Sequence, residues 1–296
     1  MQIPDYYIEK DYVLSLFLST WHSLKKTEST SSLEALIFKG GTLLIRNFLG
    51  YPRISEDLDF THQDSPALRL IENVNKRESE IKKRVLPLLD NIKRVCDGAR
   101  FDFEVERTNP RYIMVRNSRA VYVLHFYYRS LLTAEEIPVK IEVNFLEDLI
   151  YPSVESRINM IVENSVFLKS IGYNLKHISL KAYSLKEIIL EKYRAILTRE
   201  SFKERDLLDL YLISKQDINV LRVQNTMIQR KIESGVLIAP RLLKNLGKNC
   251  ALLQTQGYLE SDDDVSRLTL AIIDARQYQQ FKNLLFKKLK NFCTTW

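Results

Sequence analysis

A chain of 296 residues with 45% hydrophobic and 27% charged residues can bury a full core. It exceeds the roughly 250 residues at which single cores stop growing, so two domains are expected and disorder is not. The three cysteines, Cys96, Cys250 and Cys293, stand far apart with no CxxC and no histidine cluster, which argues against a zinc site or a disulfide framework and for a reducing cytoplasm. The chain has no basic-then-apolar leader and no apolar run long enough to span a bilayer, so a cytoplasmic protein without a membrane partner is expected. The net charge of +7 admits a polyanionic partner, although a solvated lysine-rich surface explains it equally well.

The segment 7–23 places Val13, Leu14, Phe17, Leu18 and Trp21 at helical spacing and predicts an opening amphipathic helix. After a Ser/Thr-rich loop at 27–32, "ALIFKGG" reads as a strand or buried turn leading into a helix over Thr42–Leu49, stopped by Gly50 and Pro52. "RISEDLDF" alternates as a strand does, and a long charged helix is expected over 65–96, interrupted at Pro87. From 100 to 145, "FDFEVER", "RYIMVR", "VYVLHFYY" and "VKIEVNF" predict antiparallel strands, with breaks at Asn-Pro, Asn-Ser and Pro138. Beyond Pro152 the periodicity becomes helical, with a capping box from Ser184 and Glu187 ahead of "IILEKYRAIL". A terminal helix with Phe281, Leu284, Leu285, Leu289 and Phe292 on one face and lysines opposite closes the chain.

Asp57 and Asp59 lie two apart on the expected strand, so both carboxylates share a face while Leu58 points into the core. With no evident cationic partner they repel, and a divalent cation, Mg²⁺ by its preference for hard oxygen ligands, would relieve them. The chain has only eight glycines, and two of them stand side by side as Gly40 and Gly41 ahead of the helix that Thr42 opens. Without a Cβ they let a ligand approach the backbone, and helix N-terminal amides suit phosphate oxygens, with the Thr42 hydroxyl as a further donor. Each half alone is commonplace: an Asp-x-Asp is more often a solvated loop and a Gly-Gly more often a turn.

Together, Gly40, Gly41 and Thr42 followed by Ser55, Glu56, Asp57, Leu58, Asp59 and Phe60 resemble the first motif of the AbiEii/AbiGii (MenT-like) toxin family, within the DNA polymerase β-like nucleotidyltransferase superfamily. Thr42 stands where Ser is commoner in the superfamily, and keeps the hydroxyl. A further match is the run Glu191, Lys192, Arg194, then Arg205, Asp206, Asp209 and Leu210. "IEKDY" at 8–12 also matches the family and reads as structural. The resemblance covers most of the first 215 residues, whereas 216–296 are only generically helical.

The resemblance implies an α+β fold, in which a polymerase β-like nucleotidyltransferase domain with a mixed sheet (1–170) is followed by a helical bundle domain (171–296) that completes the active-site cleft. It implies transfer of a nucleoside monophosphate from an NTP with Mg²⁺ or Mn²⁺, the protein serving as the toxin of a toxin–antitoxin or abortive-infection system with a cognate antitoxin. An RNA, the tRNA 3′ end, is the implied acceptor. Asp57, Asp59 and Glu142 would be the metal ligands; Gly40, Gly41, Thr42, Ser55, Lys192, Arg194 and Arg205 would bind the nucleotide; and Lys192, Asp206 and Asp209 would join the three carboxylates as catalytic residues. Glu142 projects opposite the apolar face of Val139, Ile141, Val143 and Phe145, although Asp102 and Glu104 compete for its role. Lys192 interrupts the apolar row Ile188–Ile196 and needs an anionic partner, either a triphosphate or a carboxylate such as Glu187 or Asp209. Two other readings stay open: transfer to a protein or small molecule, and a nucleotide- or RNA-binding regulator without turnover. The sequence holds no GxxxxGK[ST], HExxH or GxSxG, and the histidines His22, His62, His125 and His177 are scattered, which argues against Walker-type ATPase, zinc protease and serine hydrolase chemistry.

Overall fold

The computed structural model describes residues 5–25, 31–106, 108–117, 119–159, 178–216, 218–255 and 269–296. The chain divides into two compact units, Met1–Glu147 with Ser153–Tyr183, and Asp148–Pro152 with Ser184–Trp296. The boundary expected at 170/171 lies outside the described residues.

The first unit is built on a seven-stranded mixed sheet in the order β3-β4-β5-β2-β1-β7-β6. Its strands are β1 (Leu36–Lys39), β2 (Leu58–His62), β3 (Ile113–Arg116), β4 (Val121–Arg129), β5 (Glu136–Asn144), β6 (Val154–Ile158) and β7 (Ile178–Ala182). β2 runs parallel to β5, and β1 runs parallel to β7 and antiparallel to β2. The centre of the sheet is the most deeply buried part: all four residues of β1 are covered, as are Leu58, Phe60, Ile141 and Val143. Strands flanked on both sides bury both faces, which is why "LIFK" carries so few polar residues.

Helix α1 (Asp5–Lys25) lays Val13, Leu14, Phe17, Leu18 and Trp21 into this core, with Phe17 stacked on Phe126 at 5.1 Å and Trp21 tilted against Phe60 at 5.3 Å. After the short α2 (Ser31–Glu34) and β1, helix α3 (Gly40–Leu44) continues as a π-helical turn over Ile45–Leu49 and ends at Gly50 in the left-handed conformation.

The helix expected over 65–96 is two helices, α4 (Ser65–Arg69) and α5 (Val74–Ala99), and the break falls before Asn73 rather than at Pro87. Asn73 caps α5 by accepting from the Lys76 amide, whereas Pro87 sits on the exposed face, where water can meet the carbonyl that a proline leaves unbonded. "RISEDLDF" is extended into a strand only from Leu58. Among its described residues, "FDFEVER" contributes a single bridge, Asp102 to Tyr127, instead of a strand. Pro138, expected as a break, lies within β5. There β5 is paired with β4 alone, because β2 joins only from Ile141, so the missing amide costs no ladder bond. β6 and β7 extend the sheet past Pro152, where only helices were expected.

The second unit is helical: α6 (Leu185–Thr198), α7 (Glu204–Gln216), a 3₁₀ turn (Ile218–Arg222), α8 (Asn225–Val236), α9 (Arg241–Gln254) and α10 (Ala275–Thr295). α6 is its hub and packs on α7, α8 and α9. Ser184 caps α6 as expected, accepting from the Glu187 amide, but the Glu187 carboxylate turns away to the Ile150 and Tyr151 amides. In α10, Phe281, Leu285, Leu289 and Phe292 are buried, whereas Leu284 is exposed. Cys250 and Cys293 form a disulfide between α9 and α10 with their Cα atoms 5.4 Å apart, which corrects the expectation that no cysteines pair. The two are 43 residues apart in sequence and meet only through tertiary packing. The fold class is mixed α+β with C-terminal helices.

Candidate active site

The glycine pair sits where β1 gives way to α3. Gly40 has φ +79°, and a Cβ placed on it would lie 2.2 Å from Asp59 Oδ2, so the carboxylate occupies the space a side chain would need. A Cβ on Gly41 would meet Ser55 Oγ at 2.9 Å and the Arg53 guanidinium at 3.0 Å. Arg53 is buried and donates to the Ile54 carbonyl at 2.7 Å. Nothing in the sequence singled it out beyond its place two residues before Ser55. Thr42 is also buried; its hydroxyl donates to the Asp57 carbonyl and its oxygen lies 2.9 Å from Ser55 Oγ. That proton is spent inside the loop, bracing "SED" against α3, rather than held out as the phosphate donor the sequence suggested.

The carboxylates are positioned by strand register. β2 and β5 pair in parallel with Leu58 opposite Ile141 and Asp59 opposite Glu142, so Asp59 and Glu142 are cross-strand neighbours on one face. Asp57 stands one step before the Leu58–Ile141 pair, and Lys140 is its counterpart on β5. The Lys140 ammonium is 2.8 Å from Asp57 Oδ2. Asp57 therefore has a cationic partner, which corrects the view of the Asp pair as uncompensated; the pairing depends on a register that no local pattern reveals. Burial and then Glu142 raise the Asp59 carboxyl to about 6, against smaller opposing effects of Lys140 and Lys39. Burial works against the Lys140 ammonium, but Asp57, then Asp59 and Glu142, outweigh it and hold its pKa above the ordinary lysine value.

The rivals of Glu142 lie elsewhere. Asp102 accepts from Tyr112 at 2.8 Å and Arg111 at 3.1 Å, and Glu104 pairs with Lys93 at 3.3 Å. His125 is the cross-strand partner of Lys140, and burial, then Lys140 and Arg116, hold it below its ordinary pKa. Among the described residues no three His, Cys, Asp or Glu side chains are already gathered as a metal cage. The donor set still suits a hard divalent cation: two adjacent carboxylates, of which Glu142 helps hold Asp59 above its ordinary pKa, with a third one register step away.

Three consecutive residues of α1 fasten this neighbourhood. Glu9 accepts from Ser130 Oγ at 2.8 Å and the Leu131 amide at 2.6 Å, Lys10 pairs with Glu56, and Asp11 pairs with the fully buried Arg46 at 2.6 Å. Successive helical residues point about 100° apart, so one turn can reach three segments. The matched "EKD" thus ties α1 to the loop before β5, to the "SED" segment and to the helix that the glycine pair opens.

In the second unit, Lys192 lies 2.9 Å from Asp206 and 2.6 Å from Asp209, and Arg199 reaches Asp206 at 3.2 Å. All but Arg199 are buried. Glu187, weighed as a partner for Lys192, is instead paired with Lys231 at 2.6 Å, and both of those side chains are fully buried. Arg194 pairs with Glu191 at 3.4 Å, and Arg205 is exposed on α7. The structure thus brings Gly40, Gly41, Thr42, Ser55, Asp57, Asp59 and Glu142 together in the first unit, and Lys192, Asp206 and Asp209 together in the second.

A mixed sheet opening into a glycine turn beside paired carboxylates places the chain among the nucleotidyltransferases. It belongs to the AbiEii toxin family of type IV toxin–antitoxin systems: the family model described as "Nucleotidyl transferase AbiEii toxin, Type IV TA system" matches residues 28–293. Membership implies an NTP substrate and a cognate antitoxin. Among solved structures, the chain is similar to MenT4, a nucleotidyltransferase toxin from Mycobacterium tuberculosis, with 16% identity, coverage of 97% of this chain and 83% of that one, and a TM-score of 0.52, a likeness of fold. JHP933 from Helicobacter pylori matches at 14% identity over 99% of this chain and 97% of its own, with a TM-score of 0.45. None of the curated proteins matches the chain by sequence. Among the described residues no helix is long and apolar enough to cross a membrane.

Proposed function

We propose that this toxin acts in the cytoplasm and, with Mg²⁺ or Mn²⁺, transfers a nucleoside monophosphate from an NTP to the 3′ end of an RNA, with tRNA as the acceptor. The observation that carries the metal dependence is the register of β2 on β5, which sets Asp59 beside Glu142 while Gly40 leaves room for the Asp59 carboxylate. Asp57, Asp59 and Glu142 would hold the cation. When bound, it would supply positive charge to offset what develops on the transferring phosphoryl group. The acceptor 3′ oxygen forms a bond to the α-phosphorus, the bond from that phosphorus to pyrophosphate breaks, and the hydroxyl proton passes to a carboxylate of the cluster. The Gly40 and Gly41 turn lets phosphate oxygens approach backbone amides, with Ser55 and Thr42 fixing the turn. The assignment of Lys192, Arg194, Arg205, Asp206 and Asp209 to triphosphate binding and catalysis rests on the motif alone. The net positive charge suits an RNA acceptor.

The test incubates purified protein, and Asp59→Ala beside it, with Mg²⁺, each α-³²P-labelled NTP in turn and total tRNA, followed by a denaturing gel. Asp59-dependent label in the RNA is the expected result. Pyrophosphate release with label on protein or a small molecule would overturn the acceptor. NTP binding without pyrophosphate release would favour the regulator reading.

A further inference from the structure

Lys140 is the residue of the acidic face that the reaction above does not use. It occupies the β5 position one register step from the Asp59–Glu142 pair, and its ammonium lies against the Asp57 carboxylate at 2.8 Å, on the face where a divalent cation would be held. The other lysine near Asp59, Lys39, lies against Glu147 at 3.4 Å. Lys140 is thus a cation in contact with Asp57 and one register step from both Asp59 and Glu142.

The pair is built to exchange. The Lys140 and Asp57 side chains are 31% and 44% exposed, so the ammonium can withdraw into water without stranding a buried charge. Lys231 and Glu187 form the contrasting case, both at 0% exposure, where separation would leave two charges in the core. A lysine stem is flexible and its ammonium is a compact, well-hydrated charge, which suits a counter-ion that must leave its partner.

We propose that Lys140 is a built-in counter-cation that occupies Asp57 and competes with the divalent cation for it, so that metal binding requires Lys140 to swing away. Lys140 is thus a positioning residue that sets the metal affinity of the carboxylate cluster. The proposal rests on the metal-dependent reading above.

The test measures Mn²⁺ binding without nucleotide, from the electron paramagnetic resonance signal of free Mn²⁺, for the native chain, Lys140→Met, Lys140→Arg and Asp59→Asn. Lys140→Met should bind at least about tenfold more tightly than the native chain, the scale on which an adjacent opposite charge acts, and Lys140→Arg should not. Unchanged or weaker binding by Lys140→Met would overturn the role of Lys140 while leaving the metal reading intact. No Asp59-dependent Mn²⁺ binding by any variant would overturn both. The native chain supplies a second measurement that needs no folded variant: trace acetylation of lysines at mildly alkaline pH, read by mass spectrometry with and without Mg²⁺. Lys140 labelling should rise several-fold with Mg²⁺ while buried Lys231 stays constant; labelling of Lys140 that is flat or falls would count against displacement.

Discussion

Asp59 Oδ2 lies 2.2 Å from where a Cβ on Gly40 would stand. One residue's missing side chain is thus the other's binding space. Gly40→Ala must both hold alanine at φ +79° and push the carboxylate off the Glu142 face. Gly50 provides the control, with φ +68° but nothing within 4 Å of its Cβ position. Gly50→Ala should cost about 1 to 2 kcal/mol of backbone strain and keep nucleotidyl transfer. Gly40→Ala should lose transfer to background even at temperatures where circular dichroism shows it folded. Equal activity in the two variants would refute this division.

The Asp59 carboxyl is raised to about 6 by burial and by Glu142. Its folded pKa exceeds its unfolded one, so folding takes up a proton, and this group makes stability fall as pH rises from its ordinary range through about 6. Asp59→Asn should therefore raise the melting temperature at about pH 8 and change it little at about pH 4. Asp59 is only partly covered by neighbouring atoms, so the gain is at most roughly 2 to 3 kcal/mol. Thermal melts in EDTA, which removes the offsetting effect of a cation, would check the sign.

Lys231 and Glu187 form a fully buried pair in the second unit, in which Lys231 also donates to the Asp148 carbonyl at 2.6 Å. Burial raises the Glu187 carboxyl, with Lys231 pulling the other way. Removing one partner strands the other, so Lys231→Met should cost about 3 to 5 kcal/mol in urea denaturation. Adding Glu187→Gln should recover more than about 1 kcal/mol of it, because the two sites are coupled. Additive losses would show that the pair acts independently.

The legible parts of the fold are those with a local signature. α1 shows its stripe, the central strands show apolar runs, and the Asp57, Asp59 and Glu142 carboxylates show as the polar positions of alternating segments. β6 escapes notice because "VESRI" is mostly exposed and carries no such pattern. The Asp57–Lys140 and Lys231–Glu187 pairs and the Cys250–Cys293 disulfide depend on register or helix docking. Alternation along "VKIEVNF" puts Lys140 on the face of Glu142, and only the register of β2 on β5 shows that Asp57 stands opposite it.

The Cys250–Cys293 disulfide closes a loop with a sequence separation of 43. By chain entropy such a link is worth about 4 kcal/mol against the unfolded chain. Cys293→Ser under non-reducing conditions, or reduction of the native protein, should lower the melting temperature, and Cys96→Ser should leave the disulfide's contribution intact. Identical melts of native and Cys293→Ser protein under oxidising conditions would show that the link adds nothing.

Lys192 separates stability from chemistry. Its ammonium neutralises Asp206 and Asp209, both buried, so Lys192→Met leaves the two carboxylates with the partly exposed Arg199 beside Asp206 and should destabilise by about 3 kcal/mol. Lys192→Met combined with Asp209→Asn removes one stranded charge and should regain much of the lost stability. If Lys192 also neutralises the triphosphate, as the motif implies, nucleotidyl transfer in the double variant should stay below that of Asp209→Asn alone even though its fold is restored. If Lys192 serves only the two aspartates, transfer should return with stability to the level of Asp209→Asn alone, and its place in the chemistry would fall away. Urea denaturation beside radiolabel transfer on the same preparations measures both outcomes.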